Sequence, residues 1–442
     1  MSQPSRPGEL EPDAAERGAD VAAPALREVG ADEAFGDAGL EPDGGASPAS
    51  VERATLAPRA RRRRRAWIAL RVAGALLAVL FALTFVGTDR FRGFGGGPSD
   101  ATLARMRASP HFVDGAFVNQ EPTEMMKPGQ WAAAKQWIAG DEMRTPTCPL
   151  PLVTDAAARL ATPPPTGLRV TWLGHSTTLI EIDGARLLTD PNWSERSSPS
   201  RWVGPRRFHP PPLALADLPR VDAVLVSHEH FDHLDMETVR ALSAKGIPFH
   251  VPLGVSAHLE AWGVPADRIF EHDWWQRAAI GGGVEVVSTP SRHFNGRGVP
   301  FRVGALWTSW AIVGPEHRVF FSGDTGLQEA FREIGAREGP FDVALLEIGQ
   351  AHASWGDIHL GPLGALEAHA RLGARRLFPI HWATFQLAMH AWSEPAETLT
   401  VEAARRGVSL VTPRLGEPAE PTLDAPAIPW WRALPPIAAA CP

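Results

Sequence analysis

Six consecutive residues, His228-Glu229-His230-Phe231-Asp232-His233, hold four side chains able to bind a metal: His228, His230, Asp232 and His233. Imidazole nitrogen and carboxylate oxygen are good donors for zinc. A tight loop can aim alternate side chains at one ion and the intervening ones at a second. His228 and His230, two apart, suit one ion, and Asp232 and His233 suit its neighbour. A solvated loop can be rich in histidine, but this spacing follows the apolar run Val221–Val226 and precedes a helical stretch from Met236. Four ligands do not complete two metal sites, so the remainder must come from later in the chain.

Three further residues stand in matching contexts. His293 follows the strand-like run Val284–Val287 through Ser288-Thr289-Pro290. Asp324 follows Val319–Phe321 in the turn Ser322-Gly323-Asp324-Thr325-Gly326, and His381 follows Leu377–Ile380. Each lies just past the carboxyl end of a predicted strand, where sites in α/β proteins are assembled. A single histidine or an Asp-Thr-Gly turn would ordinarily be structural; their joint occurrence singles them out.

The elements that must position these groups are legible as alternation and runs. Leu168–Leu173 alternates. Thr178–Ile182 and Ala185–Thr189 flank Asp183-Gly184, a strong hairpin signal. Val343–Ile348 and Arg376–Ile380 read as further strands. Met236–Lys245, Leu327–Ile334 and Pro362–Leu372 read as helices. Two β-rich halves with outer helices predict an α/β fold, a four-layer αββα sandwich over residues 166–415.

The flanks differ in character. Residues 1–58 are rich in Ala, Gly, Pro, Asp and Glu without apolar periodicity, and such a segment is expected to be a disordered acidic tail. Arg59 and Arg61–Arg65 then form a basic block, followed by an apolar run over 66–87 broken only by Arg71. At about 1.5 Å per residue this run spans roughly 30 Å, enough to cross a bilayer. Arg71 lies near its start, where a long side chain can snorkel to headgroups. A buried core helix would need a polar face, and a cleavable signal would carry a shorter apolar stretch and a small-residue cleavage site. The expectation is therefore a single-pass transmembrane anchor in 59–90. The positive-inside rule puts the N-terminus in the cytoplasm and the catalytic domain outside. Residues 91–165 read as a Gly-rich linker and an extension with short helices, and 416–442 as a C-terminal tail.

Composition narrows the classes. The 442 residues carry a net charge of −7, with 44% hydrophobic and 21% charged residues, which are globular values. The catalytic region has no basic tract to guide a polyanion, so nucleic acid is not expected as a partner. Cys148 and Cys441 are the two cysteines, which excludes a disulfide-rich scaffold and a Cys-based metal site. Tyrosine is absent and tryptophan numbers 16, so any role of a phenol must fall to another group.

The spacing His-x-His-x-Asp-His, with a distant His, an Asp in Gly-Asp-Thr-Gly and a final His, resembles the metallo-β-lactamase superfamily. Longer stretches are similar to the N-acylphosphatidylethanolamine-hydrolysing phospholipases D. They include Trp172-Leu-Gly-His-Ser176, Leu188-Thr-Asp-Pro191, Gly204-Pro-Arg-Arg-Phe208, Asp273-Trp-Trp275 and Ile380-His-Trp382 with Thr384-Phe385. The likeness runs from about Ser109 to about Glu397. It implies two zinc ions per chain. His228, His230 and His293 would hold the first, Asp232, His233 and His381 the second, and Asp324 would bridge them. It implies that His359, 22 positions before His381, contacts the substrate phosphate, and that Asp190 is a carboxylate orienting a ligand imidazole. Two stretches depart from the family. Phe231 stands where a Tyr is common, which removes a polar contact to substrate, and 349–357 differs just before His359.

The activity so implied is hydrolysis of a phosphodiester in N-acylphosphatidylethanolamine-like membrane phospholipids, giving N-acylethanolamine and phosphatidate. Two close zinc ions lower the pKa of a shared water and clamp both oxygens of an in-line displacement. Asp232 and His359 are the expected catalytic residues, with His359 or a water protonating the leaving group. A lactonase or a hydrolase of soluble phosphorylated metabolites is the alternative within enzymology. A non-catalytic membrane-tethered binding protein is the alternative outside it.

Overall fold

The computed structural model describes residues 62–79, 93–125, 135–138, 140, 143–297, 304–352, 354–423, 425–434 and 441. The tail 1–58 lies outside them. Residues 62–79 form a helix with Trp67, Leu70, Leu76 and Leu77 more than half exposed. The expected membrane span 66–87 overlaps this helix, and residues 80–87 lie outside the described residues. Among the described residues no helix is long and apolar enough to cross a membrane.

After a short hairpin of β1 (Phe112–Val113) and β2 (Ala116–Phe117), two mixed sheets form the body. The first contains β3 (Leu168–Gly174), β4 (Thr177–Ile182), β5 (Ala185–Thr189), β6 (Ala223–Leu225), β7 (Phe249–Pro252) and β8 (Ile269–His272). The second contains β9 (Arg277–Gly281), β10 (Val284–Thr289), β11 (Ser309–Val313), β12 (Arg318–Phe321), β13 (Val343–Glu347) and β14 (Arg376–Ile380). A last strand, β15 (Pro418–Ala419), joins the first sheet beside β3, giving the orders β15-β3-β4-β5-β6-β7-β8 and β14-β13-β12-β11-β10-β9.

The period of two along each strand sorts side chains between two cores. Leu168, Val170, Trp172, Ile180, Ile182, Leu187, Ala223 and Leu225 face the core shared with the second sheet. Their alternates Leu173, Leu179, Leu188, Val224 and Val226 meet Val239, Leu242 and Leu259 of helices Met236–Ala244 and Ser256–Ala261. On the far side Phe331, Ile334, Leu366, Leu372, Leu399 and Ala403 bring helices Ala330–Glu338, Gly361–Leu372 and Glu394–Arg406 onto the second sheet. A strand buried on both faces explains why β3 and β4 are buried throughout. The hairpin between β4 and β5 turns at Asp183 and Gly184, both with positive φ, as a type I′ turn requires.

β5 to β8 pair in parallel, as do β12 to β14, while β3, β4 and β5 pair antiparallel. The carboxyl ends of β3, β5, β6, β10, β12, β13 and β14 therefore lie at one edge of the sandwich, and the site is built there.

Two flanking segments differ from their expectation. The described residues after 415, expected as a tail, include packed segments. β15 pairs with β3, and Trp430 and Trp431 are buried. Their rings lie 5.5 and 5.2 Å from that of Trp382, which itself stacks on Trp172 at 5.3 Å. Four of the 16 tryptophans thus pack together around the segment that carries His381. Cys441 forms a disulfide with Cys148, tying the C-terminus to the extension. The Gly-rich stretch read as a linker is also packed where it is described. A Cβ at Gly96 would meet the Ala257 carbonyl oxygen at 2.3 Å, so glycine serves close approach there.

Candidate metal centre

The loop after β6 hangs from one buried carboxylate. Asp190, just past β5, accepts the Ser227 backbone N–H at 2.7 Å and the Ser227 hydroxyl at 2.6 Å. It also accepts His233 Nδ1–H at 2.7 Å. The hydroxyl proton of Ser227 is thereby committed, so its oxygen receives Nδ1–H of His228 at 2.8 Å. His293 Nδ1–H donates to the Ile358 carbonyl at 2.9 Å, and His381 Nδ1–H to the Gly349 carbonyl at 3.3 Å. Each of these four imidazoles thus commits Nδ1 to a hydrogen bond and leaves Nε2 as the atom available to a metal. This outer layer is what a metal-ligating histidine needs.

Those Nε2 atoms converge. His228 Nε2 and His293 Nε2 lie 2.9 and 3.2 Å from His230 Nδ1, and 3.8 and 3.9 Å from Asp324 Oδ2. His233 Nε2 lies 3.2 Å from Asp232 Oδ2 and 3.2 Å from Asp324 Oδ2. His381 Nε2 lies 3.3 Å from Asp232 Oδ2 and 3.2 Å from Asp324 Oδ1. Two groups result, His228-His230-His293-Asp324 and Asp232-His233-His381 with His175. Asp324 stands between them.

The donors fit a cation. Despite these short distances, His233 Nε2 and Asp324 Oδ1 are buried and have no hydrogen-bond partner among the described residues. They face a common space rather than one another. Burial, with the neighbouring histidines, keeps His228 and His293 well below the usual imidazole range, in the neutral form that binds metal. Burial alone would lower His233 too. Asp324, Asp232 and Asp190 outweigh it and hold His233 well above its ordinary value. A field that retains a proton there would also retain a divalent ion. His233 and other histidines hold Asp232 and Asp324 well below the carboxylate range in spite of burial.

A cavity of about 390 Å³ opens over this cluster, walled by Met125, Phe294, Trp355, Ile358 and Leu387. His359 lies on the cavity wall, its ring 5.6 Å from His381 and 5.3 Å from His293. Burial lowers His359, but the Glu347 carboxylate 3.3 Å from its Nδ1 reverses the direction and raises it.

The structure brings together Asp190, His228, His230, Asp232, His233, His293, Asp324, His359 and His381. It does not bring Phe231 to them. Side chains alternate along the loop, so Glu229 and Phe231 turn outward while His228 and His230 turn to the centre. Glu229 accepts from His258 Nε2 at 2.8 Å. Phe231 covers the Arg297 guanidinium at 4.4 Å and borders a different cavity of about 540 Å³. The substrate contact expected of Phe231 is corrected accordingly, because its ring belongs to the outer face of the loop.

Three residues escaped the sequence reading. His175 follows β3 and donates Nε2–H to Asp232 Oδ2 at 2.8 Å; burial and nearby His381 push it down to about 3. Arg297, 2% exposed, donates to the carbonyls of Glu229 and Leu234 at 2.8 and 2.7 Å, clamping the loop from behind. Glu347 backs His359. The stretch Leu-Gly-His-Ser was the available signal for His175. Asp190, His175 and His381 all carry positive φ without being glycine, a concentration of backbone strain suited to a functional site.

Comparison with known proteins agrees with this geometry. Residues 185–382 match the beta-lactamase superfamily domain. An uncharacterized protein of Mycobacterium tuberculosis is 46% identical over 369 residues, 80% of this chain and 98% of that protein. The N-acyl-phosphatidylethanolamine-hydrolyzing phospholipase D 1 of Caenorhabditis elegans is 34% identical over 267 residues, 57% of this chain and 75% of that protein. A metal-dependent hydrolase of Pyrobaculum neutrophilum is 31% identical over 222 residues, 50% of this chain and 86% of that protein. The chain belongs to the beta-lactamase superfamily as a metal-dependent hydrolase, with N-acyl-phosphatidylethanolamine-hydrolyzing phospholipases D among its relatives.

Proposed function

We propose that the chain is a dinuclear zinc phosphodiesterase that hydrolyses N-acylated phosphatidylethanolamines to N-acylethanolamine and phosphatidate. The observation that carries this reading is the meeting of two N/O ligand groups at Asp324 beneath a cavity with an apolar wall. His228, His230 and His293 would hold one ion, Asp232, His233 and His381 the other, with Asp324 shared. A bound pair of divalent cations supplies a water of lowered pKa and neutralises phosphate charge. The residues do the rest. His359 meets a non-bridging phosphate oxygen and gives its Nε2 proton to the leaving alcohol oxygen. His175 holds Asp232 in register. Phe294, Trp355 and Leu387 receive apolar substrate and keep bulk water away. Release of N-acylethanolamine from mixed phospholipid vesicles, followed by mass spectrometry, tests the substrate class. Cleavage of lactones or soluble phosphodiesters with every N-acylated phospholipid untouched would overturn it.

The same reading places the catalytic domain at a membrane, tethered through 66–87 and outside the cytoplasm. The basic block before that run supports the orientation. The Cys148–Cys441 disulfide supports it independently, since such bonds persist in oxidising compartments. A reporter fused after Gly97 should be active only in its exported form; one active only in the cytoplasm would reverse the topology.

A further inference from the structure

β13 lies between β12 and β14 and is buried at all five positions, yet it ends on a carboxylate. Glu347 is fully buried. A buried carboxylate is costly unless it is paired and hydrogen-bonded. Its Oε1 accepts the backbone N–H of Leu360 at 2.5 Å and lies 3.3 Å from Nδ1 of His359. Neither its Oε2 nor Nδ1 of His359 has a hydrogen-bond partner among the described residues. At 3.3 Å the carboxylate charge of Glu347 acts on the His359 imidazole and favours its protonated form. A ring nitrogen of His359 lies within 4.8 Å of ligand atoms of Asp324 and His381, so His359 neighbours both Glu347 and the metal cluster.

We propose that Glu347 is the positioning residue of His359: its carboxylate accepts a hydrogen bond from Nδ1–H and so presents Nε2 to the substrate phosphate and the leaving oxygen. This rests on reading the site as a phosphodiesterase. The proton transferred is the one on Nε2; it goes to the leaving oxygen, and the neutral imidazole that remains keeps its Nδ1–H on Glu347. The logic is that of a buried acid orienting a catalytic histidine, here with a strand end as the rigid support. Glu347 also receives the Leu360 N–H just ahead of helix Gly361–Leu372, so a purely structural role must be separated from positioning.

The test uses the full chain carrying zinc, with N-acylphosphatidylethanolamine in phosphatidylcholine vesicles. Glu347→Ala removes both charge and acceptor. Its kcat should fall about ten- to a hundredfold, the span of a lost hydrogen bond to a charged group, with metal content unchanged. Glu347→Gln keeps an acceptor, removes the charge and serves if the alanine variant fails to fold; its loss should be smaller. In a His359→Ala background neither change should lower kcat further. Equal losses in both backgrounds, or no loss in either, would overturn the proposal. A second readout does not depend on turnover: nitrogen NMR of labelled histidine should show Nδ1 of His359 protonated in the parent and unprotonated in Glu347→Ala. If the parent cleaves no phosphodiester, the functional reading fails while the spectra still decide the positioning. An Nδ1 still protonated in the variant would count against it.

Discussion

Asp324→Asn should abolish catalysis while leaving the fold intact. Asparagine matches the shape but removes the charge between the two ligand groups, where Asp324 lies 3.2 Å from Nε2 of both His233 and His381. Burial opposes its ionisation, yet His233 and His381 hold it well below the carboxylate range, so the centre is organised around an anion. A metal-centred charge clamp contributes several kcal/mol to the transition state, on the order of a thousandfold or more in rate. Metal content should drop with it, and the circular dichroism spectrum should not change. A variant with full metal and activity within a few-fold of the parent would show that Asp324 bridges nothing.

Asp190→Ala should give the largest combined loss of stability and metal affinity. Asp190 is fully buried and serves three donors: the Ser227 N–H, the Ser227 hydroxyl and His233 Nδ1–H. Burial pushes its carboxyl above the ordinary value, against the pull of His233 and Ser227. Truncation orphans all three donors, each at a cost of about 1–3 kcal/mol. It also frees the tautomers of His233 directly and of His228 through Ser227. Loss of such outer-layer support lowers metal affinity about 10- to 100-fold. Urea unfolding with and without added zinc, alongside a competitive chelator titration, measures both effects. Parent-like metal affinity in a folded Asp190→Ala chain would remove Asp190 from the site.

What the sequence made legible has a physical pattern. The candidate ligands of the loop stand out because strand and loop signals coincide at Ser227 and because His, Asp and their spacing carry the chemistry themselves. β4, β5 and β14 matched their expected positions closely, since apolar runs bounded by turn residues define them. β7 and β8 carry His250, Pro252 and His272 within short runs and gave no clean alternation. β11 lies in a stretch whose polar Ser309 is buried. Glu347 escaped notice because a glutamate at a strand end ordinarily marks emergence into solvent, whereas here the neighbouring helix and His359 cover it. The disulfide spans 293 residues, a separation about which pattern is silent. Phe231 was assigned by likeness to a position. The alternation of side chains along its own loop, visible as soon as His228 and His230 are placed inward, argued the other way.

Metal content and metal-dependent turnover of the purified chain test the central claim most directly. The chain should carry two zinc ions, lose N-acylphosphatidylethanolamine hydrolysis when stripped by a chelator, and regain it in proportion to zinc up to two equivalents. Full activity with one ion or none, or two bound zinc ions with no hydrolysis of any phosphodiester, would contradict the account.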